Sequence, residues 1–177
     1  MDYEEKTLHK ESIYNGKIID VRVHDVELPD GRTGKREVVN HPGAVAVIAK
    51  TPSGSIIMVR QYRKALEKEL FEIPAGKLEP GEDPELSAAR ELEEETGYRA
   101  EGLRKTASFY TSPGFADEII HLYEAERVVE GQTSTDEDEF VELVEVSLEE
   151  AQQLIKEEKI HDAKTMYAVQ HLMLGRG

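Results

Sequence analysis

Residues Gly76–Tyr98, GKLEPGEDPELSAARELEEETGY, decide the fold of this chain because they combine a loop, a helix and a dense group of acids. Asp83 is a preferred N-cap residue, and Pro84 suits the first helical position. Gly97 can adopt the left-handed conformation that ends a helix. The segment therefore predicts a helix that starts after Asp83 and stops at Gly97.

Three glutamates of this helix are predicted to share one face. Glu91, Glu94 and Glu95 stand three and four residues apart, a spacing at which helical side chains are neighbours. Like charges so placed destabilise an isolated helix by about 0.2–0.5 kcal/mol per pair, and a hard divalent cation removes that penalty. A Glu-rich helix is more often a solvated face, so a buried side is also needed. That side is predicted to consist of Leu86, Ala89 and Leu92.

The acids stand at set distances from glycine, glutamate and arginine positions on either side. These positions are Gly76, Glu82, Arg90, Glu91, Leu92, Glu94, Glu95 and Gly97, with Tyr98 as a looser fit at the end. The pattern resembles the Nudix box of the Nudix hydrolase superfamily. The resemblance implies an α/β fold of the α/β/α sandwich type with a mixed sheet, and hydrolysis of a nucleoside diphosphate linked to another group.

A second resemblance concerns Pro113, sixteen residues beyond Gly97 in the sequence Ser112-Pro113-Gly114-Phe115. Pro113 resembles the proline that characterises the ADP-ribose pyrophosphatase branch of the superfamily, which lies at the same distance from the box. The likeness continues at residues 35–37, 41–44, 61–63 and 72–77. It implies hydrolysis of ADP-ribose to AMP and ribose 5-phosphate with Mg²⁺, or with Mn²⁺ in its place.

The resemblance also implies which residues hold the metal. Glu91 and Glu95 are expected to bind it directly, Glu94 to bind it or to hold its waters during catalysis, and Ala75 to supply a backbone carbonyl. Divalent ions polarise phosphoryl oxygens and lower the pKa of water. Two neighbouring residues are expected to support these ligands rather than to touch substrate, namely Arg90 and Glu82.

An acidic loop after the box is the expected source of a general base. The candidates lie in the run from residue 136 to residue 139, directly before a predicted strand. Glu139 is favoured because a residue at the junction of loop and strand is better positioned than one at the tip, and Glu137 comes second.

Substrate recognition is expected to come from outside the box. By resemblance, Arg36 and Arg63 contact the diphosphate, since guanidinium groups bind phosphate oxygens in pairs. Surface ion pairs are the alternative for both. Ser112 and Glu118 match positions that contact the terminal ribose. Tyr14 or Tyr62 would stack on the adenine, although tyrosines more often serve packing.

Composition and charge narrow the class of protein. The chain has 177 residues, enough for one domain of ordinary size, and no cysteine for disulfides or thiolate chemistry. A net charge of −15 opposes binding to nucleic acid. The longest apolar run, Ala44–Ala49, is too short to cross a bilayer, and the N-terminus lacks the pattern of a secretion signal. These features predict a cytoplasmic protein with neither nucleic-acid nor membrane partners.

Strands are expected on both sides of the box helix. Alternating residues predict a strand at 18–28, a turn at 29–31 and a partner strand at 36–40. Residues 45–50 and 55–62 are predicted to pair across a turn at 51–54, and later strands are expected at 103–110, 118–127 and 140–146. Ser147 with Glu150, and then Asp162, are expected to cap two C-terminal helices, the last of which ends near Gly175.

The resemblance also implies a division of the chain into two parts. Residues 1–36 are expected to form a small N-terminal antiparallel sheet that is part of a homodimer; the alternative is an extra hairpin on a monomer. Residues 37–177 are expected to form the Nudix hydrolase domain.

Three other functions are compatible with the same residues. A related hydrolase would prefer another substrate, such as GDP-mannose or an oxidised nucleotide. A binding module would sense ADP-ribose without cutting it, which the complete set of acids and the lack of a basic DNA-binding segment disfavour. The third function is nonspecific metal binding by an acidic protein.

Overall fold

The computed structural model describes residues 2–134 and 140–175. In chain order, its strands and helices are β1 (Lys6–Asn15), β2 (Asp20–Glu27), β3 (Thr33–Asn40), β4 (Ala44–Ile48), β5 (Ile56–Arg63), β6 (Lys68–Glu72), β7 (Ala75–Lys77), α1 (Pro84–Thr96), β8 (Tyr98–Tyr110), β9 (Ile119–Glu130), β10 (Val141–Val146), α2 (Leu148–Lys156) and α3 (Ala163–Leu174). In these described residues, no helix is long and apolar enough to cross a membrane.

The box helix is confirmed as α1, with both predicted caps. The Asp83 side chain accepts hydrogen bonds from the backbone N–H groups of Glu85 and Leu86 at 2.9 and 3.3 Å. Gly97 closes the helix in the left-handed conformation with φ of 71°. The predicted buried side is wrong at Leu86, which is 68% exposed. Leu92 is buried as predicted, and Ser87, Ala88, Glu95 and Thr96 are buried with it.

Contacts divide the chain into two compact units. The first unit comprises Met1–Gly43 and Phe109–Ile119, and the second comprises Ala44–Ser108 and Ile120–Gly177.

The first unit contains a three-stranded antiparallel sheet in the order β1-β2-β3. The predicted pairing of β2 with β3 is confirmed, with Val23 opposite Glu37. The turn between them is closed by a 2.8 Å hydrogen bond from the N–H of Gly31 to the carbonyl of Leu28. Strand β1 was not predicted, because all of its residues are exposed and its sequence lacks a regular apolar alternation.

The second unit contains two sheets and the three helices. One sheet has the order β7-β4-β9-β8 and is mixed, because β4 pairs in parallel with β9 and antiparallel with β7. The other has the order β10-β5-β6 and is antiparallel. In β5, Ile57 packs with Ala88 and Leu92 of α1, whereas Met58 packs with α2 and α3 residues on the other side. Helices therefore cover both sides, which confirms the predicted α/β/α sandwich.

The predicted pairing of residues 45–50 with 55–62 forms only next to the turn, and both strands exist. There, Lys50 and Ile56 form a bridge, and the N–H groups of Ile57 and Thr51 donate to the carbonyls of Ala49 and Ser55 at 2.9 Å. Beyond the turn, β4 and β5 lie in different sheets. The turn itself forms, with a 2.9 Å hydrogen bond from Gly54 to Thr51. All five residues of β4 are buried, and both of its edges pair with β7 and β9, so long-range pairing overrides the local hairpin.

The C-terminal helices begin at the predicted caps, and the last one ends where it was predicted to end. Ser147 and Glu150 form a capping box at the start of α2. Asp162 accepts a 3.1 Å hydrogen bond from the N–H of Thr165 and caps α3, which ends at Gly175. Strands β6 and β7 were not predicted, and β7 lies beside α1, where the candidate site begins.

Candidate active site

The carboxylate of Glu91 lies directly against the backbone of Gly76 in β7. A Cβ atom built on Gly76 would lie 1.9 Å from the carboxyl carbon of Glu91, far inside van der Waals contact. Only glycine therefore allows α1 to place this carboxylate on β7. The Glu91 side chain is 13% exposed and forms an ion pair with Arg90.

Glu95 brings a second carboxylate to the same strand. It is buried, and one of its oxygens accepts a hydrogen bond of 3.1 Å from the backbone N–H of Ala75. One turn of α1 separates Glu95 from Glu91, and Ala75 adjoins Gly76 in β7. The structure thus brings together three of the four predicted metal ligands, Ala75, Glu91 and Glu95, through the contact of α1 with β7.

Arg90 connects Glu94, the fourth predicted ligand, to this group. Its guanidinium contacts three carboxylates, at 2.9 Å for Glu91, 2.8 Å for Glu94 and 3.1 Å for Glu82. The hydrogen bond with Arg90 lowers the pKa of Glu82, and the same bond raises the pKa of Arg90. We call these four residues the Arg90 cluster. Negative charge is in excess there even before the neighbouring Glu95 is counted.

The chemistry of this donor set fits a hard divalent cation. Its side-chain donors are carboxylate oxygens, the ligands that Mg²⁺ takes together with waters and phosphates. Within residues 2–134 and 140–175, no group of three or more His, Cys, Asp or Glu side chains already has a geometry that could hold a metal ion. One terminal nitrogen of Arg90 contacts both Glu91 and Glu94.

A second cluster of ion pairs surrounds Glu72, which the sequence did not single out. Glu72 is 1% exposed, and its carboxylate accepts hydrogen bonds from Arg63 and Lys164. Lys164 also donates to Asp162 at 3.0 Å. We call Arg63, Glu72, Lys164 and Asp162 the Glu72 cluster. The available signal was a single acid in the otherwise apolar segment from Leu70 to Pro74, where an unpaired charge would be costly.

The remaining described candidates for substrate binding lie in the first unit. Arg36 forms an ion pair with Glu5. The carbonyl of Ser112 accepts hydrogen bonds from Phe115 and Ala116.

Glu118, also in the first unit, accepts a 2.6 Å hydrogen bond from the hydroxyl of Thr111. Its carboxylate also lies 3.7 Å from the ring of His41. Tyr14 in the first unit and Tyr62 in the second are both exposed. Glu137 and Glu139, the predicted bases, lie outside the described residues.

Comparison with known proteins gives two family matches in succession along the chain. The NUDIX domain profile matches residues 40–169. The profile described as the nucleoside diphosphate sugar hydrolase N-terminal domain matches residues 5–39.

Two curated relatives match nearly the whole chain. The chain is 60% identical to the ADP-ribose pyrophosphatase of Bacillus subtilis (strain 168), over 97% of this chain and 94% of the relative. It is 59% identical to the methanol dehydrogenase activator of Bacillus methanolicus, again over 97% and 94%.

A solved structure described as an ADP compounds hydrolase has the same fold. It superposes with a TM-score of 0.85 at 21% identity and covers 98% of this chain and 96% of that one.

Proposed function

The chain belongs to the NUDIX domain family, and from that premise we propose that it hydrolyses the diphosphate of ADP-ribose to give AMP and ribose 5-phosphate. The observation that carries the proposal is the surplus of carboxylates on α1, two of them packed on Ala75 and Gly76 of β7. The choice of ADP-ribose is supported by the likeness to the Bacillus subtilis enzyme.

The reaction requires charge neutralisation and an activated water. Nudix hydrolases generally need divalent metal ions, and we propose Mg²⁺, with Mn²⁺ as the alternative. Glu91, Glu95, Glu94 and the carbonyl of Ala75 would hold the ion. When bound, it would neutralise charge on the diphosphate and lower the pKa of water.

Other residues of the chain orient these ligands and the substrate. Arg90, itself bound by Glu82, holds the carboxylates of Glu91 and Glu94 in place. Arg63 is proposed to bind the diphosphate through the donors that face away from Glu72. Arg36, Ser112 and Glu118 stay predicted substrate contacts.

The hydrolytic step adds one water across the diphosphate. The water oxygen forms a bond to one phosphorus, and the bond from that phosphorus to the bridging oxygen breaks. Glu139, or Glu137 in its place, is proposed to take the proton of the water. The bridging oxygen leaves as part of the second phosphate, so that AMP and ribose 5-phosphate are the two products.

Product analysis tests this function directly. Wild type, Glu95→Gln and the control Glu85→Gln are incubated with Mg²⁺ and either ADP-ribose or GDP-mannose. The control changes an exposed acid in the first turn of the same helix. We expect AMP and ribose 5-phosphate from wild type and control, and almost none from Glu95→Gln. A higher kcat/KM for GDP-mannose would overturn the substrate assignment, and binding of ADP-ribose without cleavage would favour the sensor.

A second candidate function is activation of a methanol dehydrogenase. It is favoured by the likeness to the Bacillus methanolicus activator, which matches this chain nearly as well as the pyrophosphatase does. Adding the protein to a methanol dehydrogenase would then raise its rate. Adding Glu95→Gln in parallel tells whether the activation requires hydrolysis.

We also propose that the protein is a cytoplasmic homodimer in which the strands of residues 1–36 form the dimer and residues 37–177 form the hydrolase domain. The likeness of residues 5–39 to an N-terminal domain of nucleoside diphosphate sugar hydrolases supports this division. A molar mass of two chains in light scattering, and of one chain after deletion of residues 1–36, is the expected result.

A further inference from the structure

Glu72 is a buried charge that the proposed reaction does not yet use. Its side chain is 1% exposed, and removing a carboxylate from water is costly unless charged partners compensate. Burial by itself would raise the pKa of Glu72, but hydrogen bonds and charges from Arg63 and Lys164 lower this pKa to about 2. Glu72 is therefore an ionised group in the interior of the second unit.

Arg63 binds the Glu72 carboxylate in a bidentate manner. Its Nε donates to one oxygen of Glu72 at 2.6 Å, and a terminal nitrogen donates to the other at 2.7 Å. Two parallel hydrogen bonds fix the plane of a guanidinium as well as its distance. The remaining N–H donors of Arg63 face away from Glu72, in directions set by this plane.

Lys164 fixes the carboxylate from the other side. Its ammonium donates to Glu72 and to Asp162, the residue that caps α3. The hydroxyl of Thr165 accepts a 3.0 Å hydrogen bond from the N–H of Ile73, directly after Glu72. The first turn of α3 thus holds Glu72 and the segment that follows it.

Arg63 is the most exposed side chain of the Glu72 cluster. The Arg63 side chain is 41% exposed, whereas those of Glu72 and Lys164 are 1% and 12% exposed. The hydrogen bond to Glu72 is the main cause that raises the pKa of Arg63, and the charge of Glu95 adds to it. Strand β5, which carries Arg63, contacts α1, the helix of the candidate metal ligands. Arg63 is the cation that the cluster presents to solvent beside the candidate metal site.

We propose that Glu72, held in turn by Lys164, is the positioning residue that orients Arg63 toward the diphosphate of the substrate. This rests on the proposed function in one respect, the choice of a diphosphate as the ligand of Arg63. A merely structural cluster would tie α3 to the sheet without any effect on ligand binding.

Glu124 offers a matched control for that alternative. Its carboxylate also contacts two basic side chains, Arg104 at 2.7 Å and His171 of α3 at 3.2 Å, and so joins α3 to β9. Glu124→Gln therefore disturbs a tether of the same helix that does not involve Arg63.

The test measures KM and kcat for ADP-ribose, and calorimetric binding of ADP, in five proteins. They are wild type, Glu72→Gln, Arg63→Met, the double variant and Glu124→Gln. We expect Glu72→Gln to raise KM and weaken ADP binding about tenfold, with kcat within about twofold. It should have no further effect in the Arg63→Met background, because it acts through Arg63. Glu124→Gln should stay within about twofold of wild type.

Several results would overturn the inference. These are ADP binding by Glu72→Gln as tight as by wild type, additive effects of Glu72→Gln and Arg63→Met, an equal loss in Glu124→Gln, and no ADP binding by wild type. Lys164→Met keeps the test valid if Glu72→Gln does not fold, and it should raise KM about threefold without changing kcat. An unchanged KM in that variant would count against the inference.

Binding of ADP separates this inference from the proposed function because it requires no turnover. If wild type leaves ADP-ribose intact while Glu72→Gln still weakens ADP binding, the proposed function fails and the inference stands. If wild type cleaves ADP-ribose and Glu72→Gln matches it in every measurement, the inference alone fails.

Discussion

The Arg90 cluster and the Glu72 cluster differ in their balance of charge. In the first, one guanidinium contacts three carboxylates. In the second, the buried carboxylate of Glu72 is contacted by two cations, and one of these, Lys164, also contacts Asp162, so that positive and negative charges are equal in number. The first cluster therefore has excess negative charge that can bind a divalent cation, and the second can present the guanidinium of Arg63 to an anion. A metal complex of a diphosphate contains both of these charges.

The two clusters also differ in burial, which decides what each ion pair contributes to stability. The side chains of Arg90 and Glu94 are 33% and 36% exposed, so solvent screens their interaction. Glu72 is shielded from solvent, and its charge depends on Arg63 and Lys164. Removing a charge from the Arg90 cluster should thus lower activity more than stability. Protonating Glu72 should mainly lower the stability of the fold.

The largest effect is expected from Glu95→Gln. The variant keeps an oxygen that can accept the hydrogen bond from Ala75, but it loses the charge of a proposed metal ligand. We expect kcat/KM for ADP-ribose to fall about 10³-fold, since a metal supplies several kcal/mol of charge stabilisation. Steady-state assays at several Mg²⁺ concentrations check this. A fall of less than about fivefold would show that Glu95 is not a metal ligand, and the contrast between a cation site on α1 and an anion site at Arg63 would then fail.

Acid unfolding is the second test. The pKa of Glu72 is about 2 in the folded state, below its ordinary value of 4.5. A lowered folded pKa contributes stability that is present above about pH 4.5 and is lost as the pH falls toward 2. We expect wild type to lose on the order of 3 kcal/mol more than Glu72→Gln between pH 5 and pH 2. Urea unfolding at each pH measures this difference, and parallel curves for the two proteins would contradict it.

Gly76→Ala should have the next largest effect. The added Cβ would overlap the Glu91 carboxylate at 1.9 Å and force it off β7. We expect a loss of activity on the order of 100-fold, because the displaced group is a proposed metal ligand. Gly175→Ala is the control, since a Cβ atom at that position would meet its nearest neighbour at an ordinary 3.6 Å. Equal activities of the two variants would show that the packing of Glu91 on Gly76 does not matter.

Glu82→Gln should have the smallest effect of the four changes. Its carboxylate accepts hydrogen bonds from Arg90, so Glu82 supports the proposed metal ligands through Arg90. We expect about a tenfold fall in kcat/KM that excess Mg²⁺ partly restores, as is typical of residues that support metal ligands. Activity titrated against Mg²⁺ provides the measurement. A loss as large as that of Glu95→Gln would mean that Glu82 itself binds metal.

Local chemistry by itself determined the helices of this protein. The caps Asp83, Ser147 and Asp162 were predictable because an N-cap side chain bonds to backbone only two or three residues away. The acids of the Arg90 cluster were predictable for a similar reason, since helical periodicity brings residues of one short segment together.

The tertiary structure decided the strand partners of β4. Residues 45–50 and 55–62 are strand-forming segments on either side of a short turn, yet β4 pairs with β7 and β9 because these strands complete its buried surroundings. A run of apolar residues indicates a buried strand, but not which strand lies at each of its edges.

The Glu72 cluster shows the same limit within the site. Glu72 is nine residues from Arg63 and 92 residues from Lys164 in the chain. No periodicity relates positions so far apart, so only folding shows that a buried acid has found two cations. The sequence by itself determined the acids on α1 because one helix carries them, whereas the orientation of Arg63 depends on three elements that meet only in the folded protein.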